Sequence, residues 1–143
     1  MQNILYPTDF SGVSKKALNF IEGLLDPSLR EVVILHVIDS RIIDNISQHD
    51  YTTAESAKED YEKEANEQMA VVEEELKERG FTVSKRIEIG LPFKEIIRVA
   101  DEEDVYLTVI GSHGRTNIAD VLLGSVAEKV SRNAKQPVVI VKR

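Results

Sequence analysis

The residues best suited to chemistry in this chain lie close together, in the stretch GSHGRTNIADVLLGSV from Gly111 to Val126. Gly111 and Gly114 bracket two residues, and Gly124-Ser125 follows nine residues later. Glycine lets a backbone approach a ligand closely, and the open N–H groups of a helix start attract an anion. An apolar run, Val105 to Ile110, precedes the stretch, and an amphipathic segment follows it, so the glycines fill a strand-to-helix turn. The chemistry this pattern predicts is phosphate binding. Backbone N–H groups at Gly114, Ser125 and Val126 would cradle phosphates, and the Thr116 and Ser125 hydroxyls would donate further bonds. Arg115 would screen their charge. The competing reading is a surface turn whose glycines only satisfy its bends.

Other chemistries are poorly represented. No GxxxxGK[ST] occurs, so the lysine of that phosphate loop is missing, and no GxGxxG follows the first strand. The chain has no cysteine, which excludes disulfides, thiol chemistry and a zinc–thiolate site. His36, His49 and His113 match no familiar metal spacing. His113, inside the loop, is expected to bond within a turn or face solvent rather than act as a base. His36, inside an apolar strand, reads as a satisfied core residue. Asp9 either caps the helix that follows it or bonds a ribose or base. Its carboxylate would tolerate nearby phosphates if a divalent cation sat between them. No nucleophile accompanies these groups, so no catalytic residue is assigned.

A chain of 143 residues is expected to fold as one domain, residues 1–143, and to bury roughly two-thirds of its unfolded surface. Its net charge of −7 is concentrated: residues 55–79 hold ten acidic and four basic side chains. That run reads as a solvated helix face. With no basic patch to release counterions, nucleic acid is not an expected partner. MQNILYPTDF lacks the basic region and long apolar core of a signal peptide, and no apolar run approaches the ~20 residues of a membrane span. No membrane association and a cytoplasmic location are expected.

The elements that must position the glycine stretch follow from periodicity. Strands are predicted at 3–6, 31–38, 81–89, 105–110 and 137–142. The second is apolar almost throughout, as a parallel strand covered on both faces should be. Ser11 is a candidate N-cap for a helix carrying Val13, Ala17, Ile21 and Leu24, stopped by Asp26-Pro27. A long helix is predicted over 54–79 with Gly80 as its stop, and another from Pro92 with Phe93, Ile96, Ile97 and Ala100 on one face. Leu123, Val126, Ala127, Val130 and Ala134 mark the last helix. Residues 39–53 show no clear period and are expected to form a mobile loop. Alternating strands and helices imply right-handed crossovers and a mostly parallel, three-layer α/β sandwich. In such folds a ligand sits beyond the carboxyl ends of the strands, where Pro7-Thr8-Asp9, Val37–Asp39 and Gly111–Gly114 all fall.

These residues resemble the universal stress protein family, in its ATP-binding branch, over nearly the whole chain. ILYPTDFS at 4–11, VILHVID at 33–39, G-x2-G-x9-G-S at 111–125 and PVVIVKR at 137–143 carry the resemblance. It implies a Rossmann-like, five-stranded parallel sheet in the order 3-2-1-4-5. It also implies a homodimer formed through the last strand. By position, Pro7, Thr8 and Asp9 would line the adenosine end of an ATP site, and Val37 would meet adenine through its backbone. Gly111, Ser112, His113, Gly114, Arg115, Thr116 and Asn117 would wrap ribose and phosphates, and Gly124, Ser125 and Val126 would close on the terminal phosphates. Mg²⁺ or Mn²⁺ would sit mainly among the phosphates. The implied function is a nucleotide-dependent regulatory or sensor module in stress response, read by an unknown partner protein.

Three rivals bear weighing. A slow ATPase would need a water-positioning group, for which only His113 or Asp9 qualify. A receiver-like domain would use Asp9, Asp39 and Lys142, but the third strand ends without a phosphoacceptor aspartate. A dimeric scaffold that binds no nucleotide would have no use for the intact glycine spacing. The last strand also has a physical reading of its own. Val138, Val139, Ile140 and Val141 are apolar on both faces, and an edge of that kind invites a partner chain.

Overall fold

A computed structural model describes residues 2–47, 51–114 and 122–143. The strands are β1 (Asn3–Pro7), β2 (Glu31–Asp39), β3 (Thr82–Gly90), β4 (Leu107–Gly111) and β5 (Val138–Val141). The helices are α1 (Gly12–Glu22), α2 (Ser40–Ser47), α3 (Tyr51–Glu78), α4 (Pro92–Glu102) and α5 (Ser125–Asn133). All strand pairs are parallel, in the order β3-β2-β1-β4-β5. The expected topology is therefore the observed one, with β3 on an edge.

Alternation along the strands builds two cores. Ile4, Tyr6, Ile34 and Val109 face α1 and α3, where Ala17, Leu18, Ile21, Met69 and Leu76 cover them. Leu5, Val33, Leu35 and Ile110 turn to the opposite face and pack against Ile96, Val99 and Ala100 of α4 and Val130 of α5. The pairing is uneven. β2 and β3 share nine aligned residue pairs, whereas β1 and β4 share two, Ile4↔Leu107 and Leu5↔Thr108. Among the described residues, no helix is long and apolar enough to cross a membrane.

Local chemistry explains most boundaries. Ser11 caps α1 by accepting the Ser14 N–H at 3.3 Å. Gly80, at φ 88°, ends α3 where a left-handed residue is needed. The Gly80 N–H reaches the Lys77 carbonyl and the Phe81 N–H reaches that of Leu76, the paired bonds of a Schellman stop. Some expectations need correction. The stretch expected as a loop over 39–53 holds the end of β2, α2 and the start of α3; residues 48–50, including His49, lie outside the described ones. Asp39 starts α2 by accepting the Arg41 N–H at 3.0 Å, and the helix packs on α3 with Ile43 and Ile46 half-buried. α1 ends at Glu22, short of Asp26-Pro27, so Leu24 lies beyond it. Leu123 and Ala134 flank α5 rather than belonging to it.

Two buried polar groups give direct tests of this packing. Thr108, fully buried in β4, has a hydroxyl with no hydrogen-bond partner among the described residues. Thr108→Val removes that desolvation cost while keeping the side-chain shape, and should stabilise by roughly 1 kcal/mol in urea denaturation. Glu22 has a side chain only 7% exposed, paired with Arg79 at 3.3 Å. Burial, and then its neighbour Glu75, raise the Glu22 carboxyl above its ordinary range. A raised folded-state value means that Glu22 contributes fully below the unfolded carboxyl pKa and loses that contribution as pH rises through the folded one. Glu22→Gln should therefore match the parent protein in strongly acidic solution and exceed it at pH 7 by up to about 1 kcal/mol. Equal stability curves across that range would remove the basis for the assignment.

Candidate functional site

Where the carboxyl ends of β1 and β4 diverge, a cavity of about 510 Å³ opens. Pro7, Thr8 and Asp9 line it from the end of β1, and Val37 from β2. Gly111, Ser112, His113 and Gly114 line it from the turn after β4, and Gly124, Ser125 and Val126 from the start of α5. These eleven predicted residues converge on one space. Arg115, Thr116 and Asn117 lie outside the described residues.

The end near α5 presents backbone N–H groups. Gly124 is the N-cap of α5 and offers no side-chain cap, so no side chain of the cap residue takes up the first-turn N–H groups. The Gly124 N–H donates to the Ser112 carbonyl at 2.7 Å, and the Ser112 N–H donates to Val141 at 2.8 Å. Those bonds draw the helix start against the β4 turn. Side chains are absent where the two segments meet. A Cβ on Gly124 would lie 2.9 Å from the Ser112 carbonyl oxygen, and one on Gly114 would lie 3.0 Å from Asp9 Oδ2. Glu128, in the first turn of α5, also lines the cavity and forms an ion pair with Arg132.

The other end is an apolar slot with a backbone edge. Leu35, Val37, Pro92, Ile96 and Ile110 line it. The Thr8 N–H donates to the Leu35 carbonyl at 2.8 Å, which marks the Leu35 peptide groups as facing β1. Alternation along a parallel ladder turns the Val37 N–H and C=O to that same side. β1 ends at Pro7, its last aligned partner being Leu35, so Val37 presents a donor and an acceptor past the strand's end.

Thr8 and Asp9 are held by their own turn. Thr8 Oγ1 accepts from the Phe10 N–H at 2.9 Å and from the Ser14 hydroxyl at 2.5 Å. The Tyr6 hydroxyl donates to the Ser14 carbonyl at 2.6 Å; burial raises its pKa, which keeps it a donor. Asp9 Oδ1 accepts the Ser11 N–H at 3.0 Å, so Asp9 braces the helix start while also lining the cavity. His36 binds the Thr8 carbonyl at 2.7 Å but is half-buried rather than a core residue. His113 is buried and bonded through Nδ1 to the Ser112 hydroxyl at 2.7 Å, a turn-bonding role. Among the described residues no three His, Cys, Asp or Glu side chains are grouped to hold a metal ion.

Sequence reasoning did not assign Ser14, Leu35, Ile96, Ile110 or Glu128 to the cavity, yet all line it. Two signals were available. Leu35 shares a strand face with Val37, and Glu128 follows Gly124 by one helical turn. Ile96 and Ile110 carried only the signature of core residues.

Comparison with known proteins places this geometry. The model of the Universal stress protein family matches residues 1–142. Universal stress protein MJ0577 of Methanocaldococcus jannaschii is 36% identical over 156 residues, covering 99% of this chain and 95% of that protein. Universal stress protein MJ0531 of the same organism is 31% identical, covering 99% and 82%. The solved structure of MJ0577 aligns with a TM-score of 0.92 at 38% identity, covering 99% of this chain and 96% of that one. The sheet order and the match along almost the entire length agree, and the chain belongs to the universal stress protein family.

Proposed function

We propose that the cavity binds an adenine nucleotide, ATP with Mg²⁺ or Mn²⁺ on its phosphates, and that the chain, acting as one unit over 1–143, is a nucleotide-dependent regulatory module in stress response. One observation carries the reading: an apolar slot edged by the Val37 backbone opens into the same cavity as the uncapped start of α5. The slot suits a flat base with a donor–acceptor edge. The helix start and the glycine turn suit the phosphates. Asp9, which also lines the cavity, would bond the ribose. Asp9 and Glu128 also bring two carboxylates to this cavity, so a polyphosphate would need its charge offset by a cation. A divalent ion supplies that offset when bound. In this reading the nucleotide is retained rather than rapidly turned over, the Ser112 hydroxyl and His113 bonding each other within the turn.

Calorimetry on nucleotide-stripped protein tests the reading, with ATP supplied up to millimolar concentration. Saturable heat at one site per chain is expected, along with an adenine nucleotide released from freshly purified protein on denaturation. Absence of both would defeat the proposal. Phosphate release that persists through purification and is lost in Gly114→Asp would shift the reading to a slow ATPase.

The proposed assembly is a homodimer through β5. This strand ends the sheet order, so one side of its backbone lacks a partner strand, and its four residues carry no charge to discourage pairing. β3, on the opposite edge, presents Lys85, Arg86 and Glu88 instead. Val139→Asp should yield folded monomers in sedimentation equilibrium. An intact dimer would move the interface elsewhere.

A further inference from the structure

Phe10 adopts a backbone conformation that its residue type disfavours. Its φ is 64°, in the left-handed region. For a bulky L-residue that conformation is strained, and it persists only where the surroundings fix it. Three contacts do so here, one being the packing of its side chain against the core that α1 and α3 cover. The Phe10 N–H donates to Thr8 Oγ1 at 2.9 Å. The Phe10 ring lies 4.8 Å from the His36 ring, tilted by 32°. His36 Nδ1 is 2.7 Å from the Thr8 carbonyl, and because a carbonyl only accepts, the hydrogen resides on Nδ1.

These contacts join two strand ends that the sheet itself no longer joins. Aligned pairing of β1 with β2 stops at Pro7↔Leu35, and the Thr8 N–H to Leu35 carbonyl bond extends it by one step. Beyond that point Asp9 sits between Thr8 and Phe10, while Val37 follows His36 directly. The Phe10–His36 contact therefore ties the turn that carries Asp9 to the strand end that carries Val37. Phe10 itself does not line the cavity.

We infer that Phe10 is a positioning residue for the adenosine end of the site: its ring, held against His36, fixes the spacing between Asp9 and the Val37 backbone and so sets affinity for the nucleoside part of the ligand. The inference rests on the adenine-nucleotide reading above. A residue that merely plugged the turn would need volume only, and leucine or methionine would serve as well. A positioning ring would be replaced only by another ring.

Titration calorimetry with ATP and with AMP separates the two, using the full-length parent protein, Phe10→Leu and Phe10→Tyr. Phe10→Leu should bind both nucleotides about tenfold more weakly, by the same factor, because the loss lies at the end they share. Phe10→Tyr should stay within about twofold of the parent. If Phe10→Leu does not fold, Phe10→Met carries the same expectation. Leucine or methionine variants that bind both nucleotides as tightly as the parent would overturn the inference and leave the nucleotide reading intact. So would a loss much greater for ATP than for AMP, since that would lie at the phosphates. A parent protein that binds neither nucleotide would sink the reading and the inference together.

Discussion

Gly124→Ala should weaken ATP binding by about 100-fold, close to 2.7 kcal/mol, while leaving the protein folded. The backbone at this position, φ −66° and ψ 155°, suits alanine as well as glycine, so the substitution introduces no torsional strain. What it introduces is a methyl group 2.9 Å from the Ser112 carbonyl oxygen and 3.2 Å from His113 Cα. Both are backbone atoms and cannot rotate aside. The 2.7 Å bond from the Gly124 N–H to Ser112 must lengthen, and the first turn of α5 must withdraw from the β4 turn. On the proposed reading, donors that would converge on the phosphates then no longer do so. Calorimetry beside a thermal melt reads the two effects separately. Gly114→Ala is the milder comparison, because its new methyl group meets a side-chain oxygen, Asp9 Oδ2, at 3.0 Å and no backbone atom. A Gly124→Ala protein binding ATP within threefold of the parent would show that the phosphates do not lie against this junction.

Gly111→Ala should act on the fold itself, destabilising it by about 2–3 kcal/mol, within the range for overpacking a tight core. A Cβ there would lie 3.0 Å from Val13 Cγ1, 3.1 Å from the Val13 carbonyl carbon and 3.2 Å from the Ser14 nitrogen. The first turn of α1 cannot easily retreat. It is pinned by the Ser11 cap on one side and by the Tyr6 hydroxyl on the Ser14 carbonyl on the other. Urea denaturation should show a lower midpoint with an unchanged slope. An unaltered midpoint would mean that β4 and α1 have slack which the geometry does not reveal.

These two glycines illustrate what could be read from the chain and what could not. Spacing announced that Gly111, Gly114 and Gly124 belong to one device, because a strand-to-helix turn needs small residues. Spacing did not say what each glycine makes room for, since Val13, Asp9 and Ser112 approach only in the folded chain. The strands were legible because β1, β2 and β4 are buried on both faces and so are apolar almost throughout. α2 was missed because eight residues give too few turns for a period to declare itself, and its starting bond comes from Asp39, a residue of the preceding strand. The apolar slot was hidden for another reason. Ile96 and Ile110 look like any core isoleucine until the divergence of β1 from β4 leaves part of their surface uncovered.

That divergence has a mechanical consequence. With two aligned pairs between β1 and β4, the sheet has its shortest seam between two panels, β3-β2-β1 and β4-β5, and both cores span that seam. A molecule in the cavity would touch both panels, with its base against the β2 side and its phosphates against the α5 side. It would act as a splint across the joint, so occupancy would be felt as resistance to flexing along the whole seam. A partner resting on either panel could sense that stiffness far from the bound molecule, without any lid having to open or close.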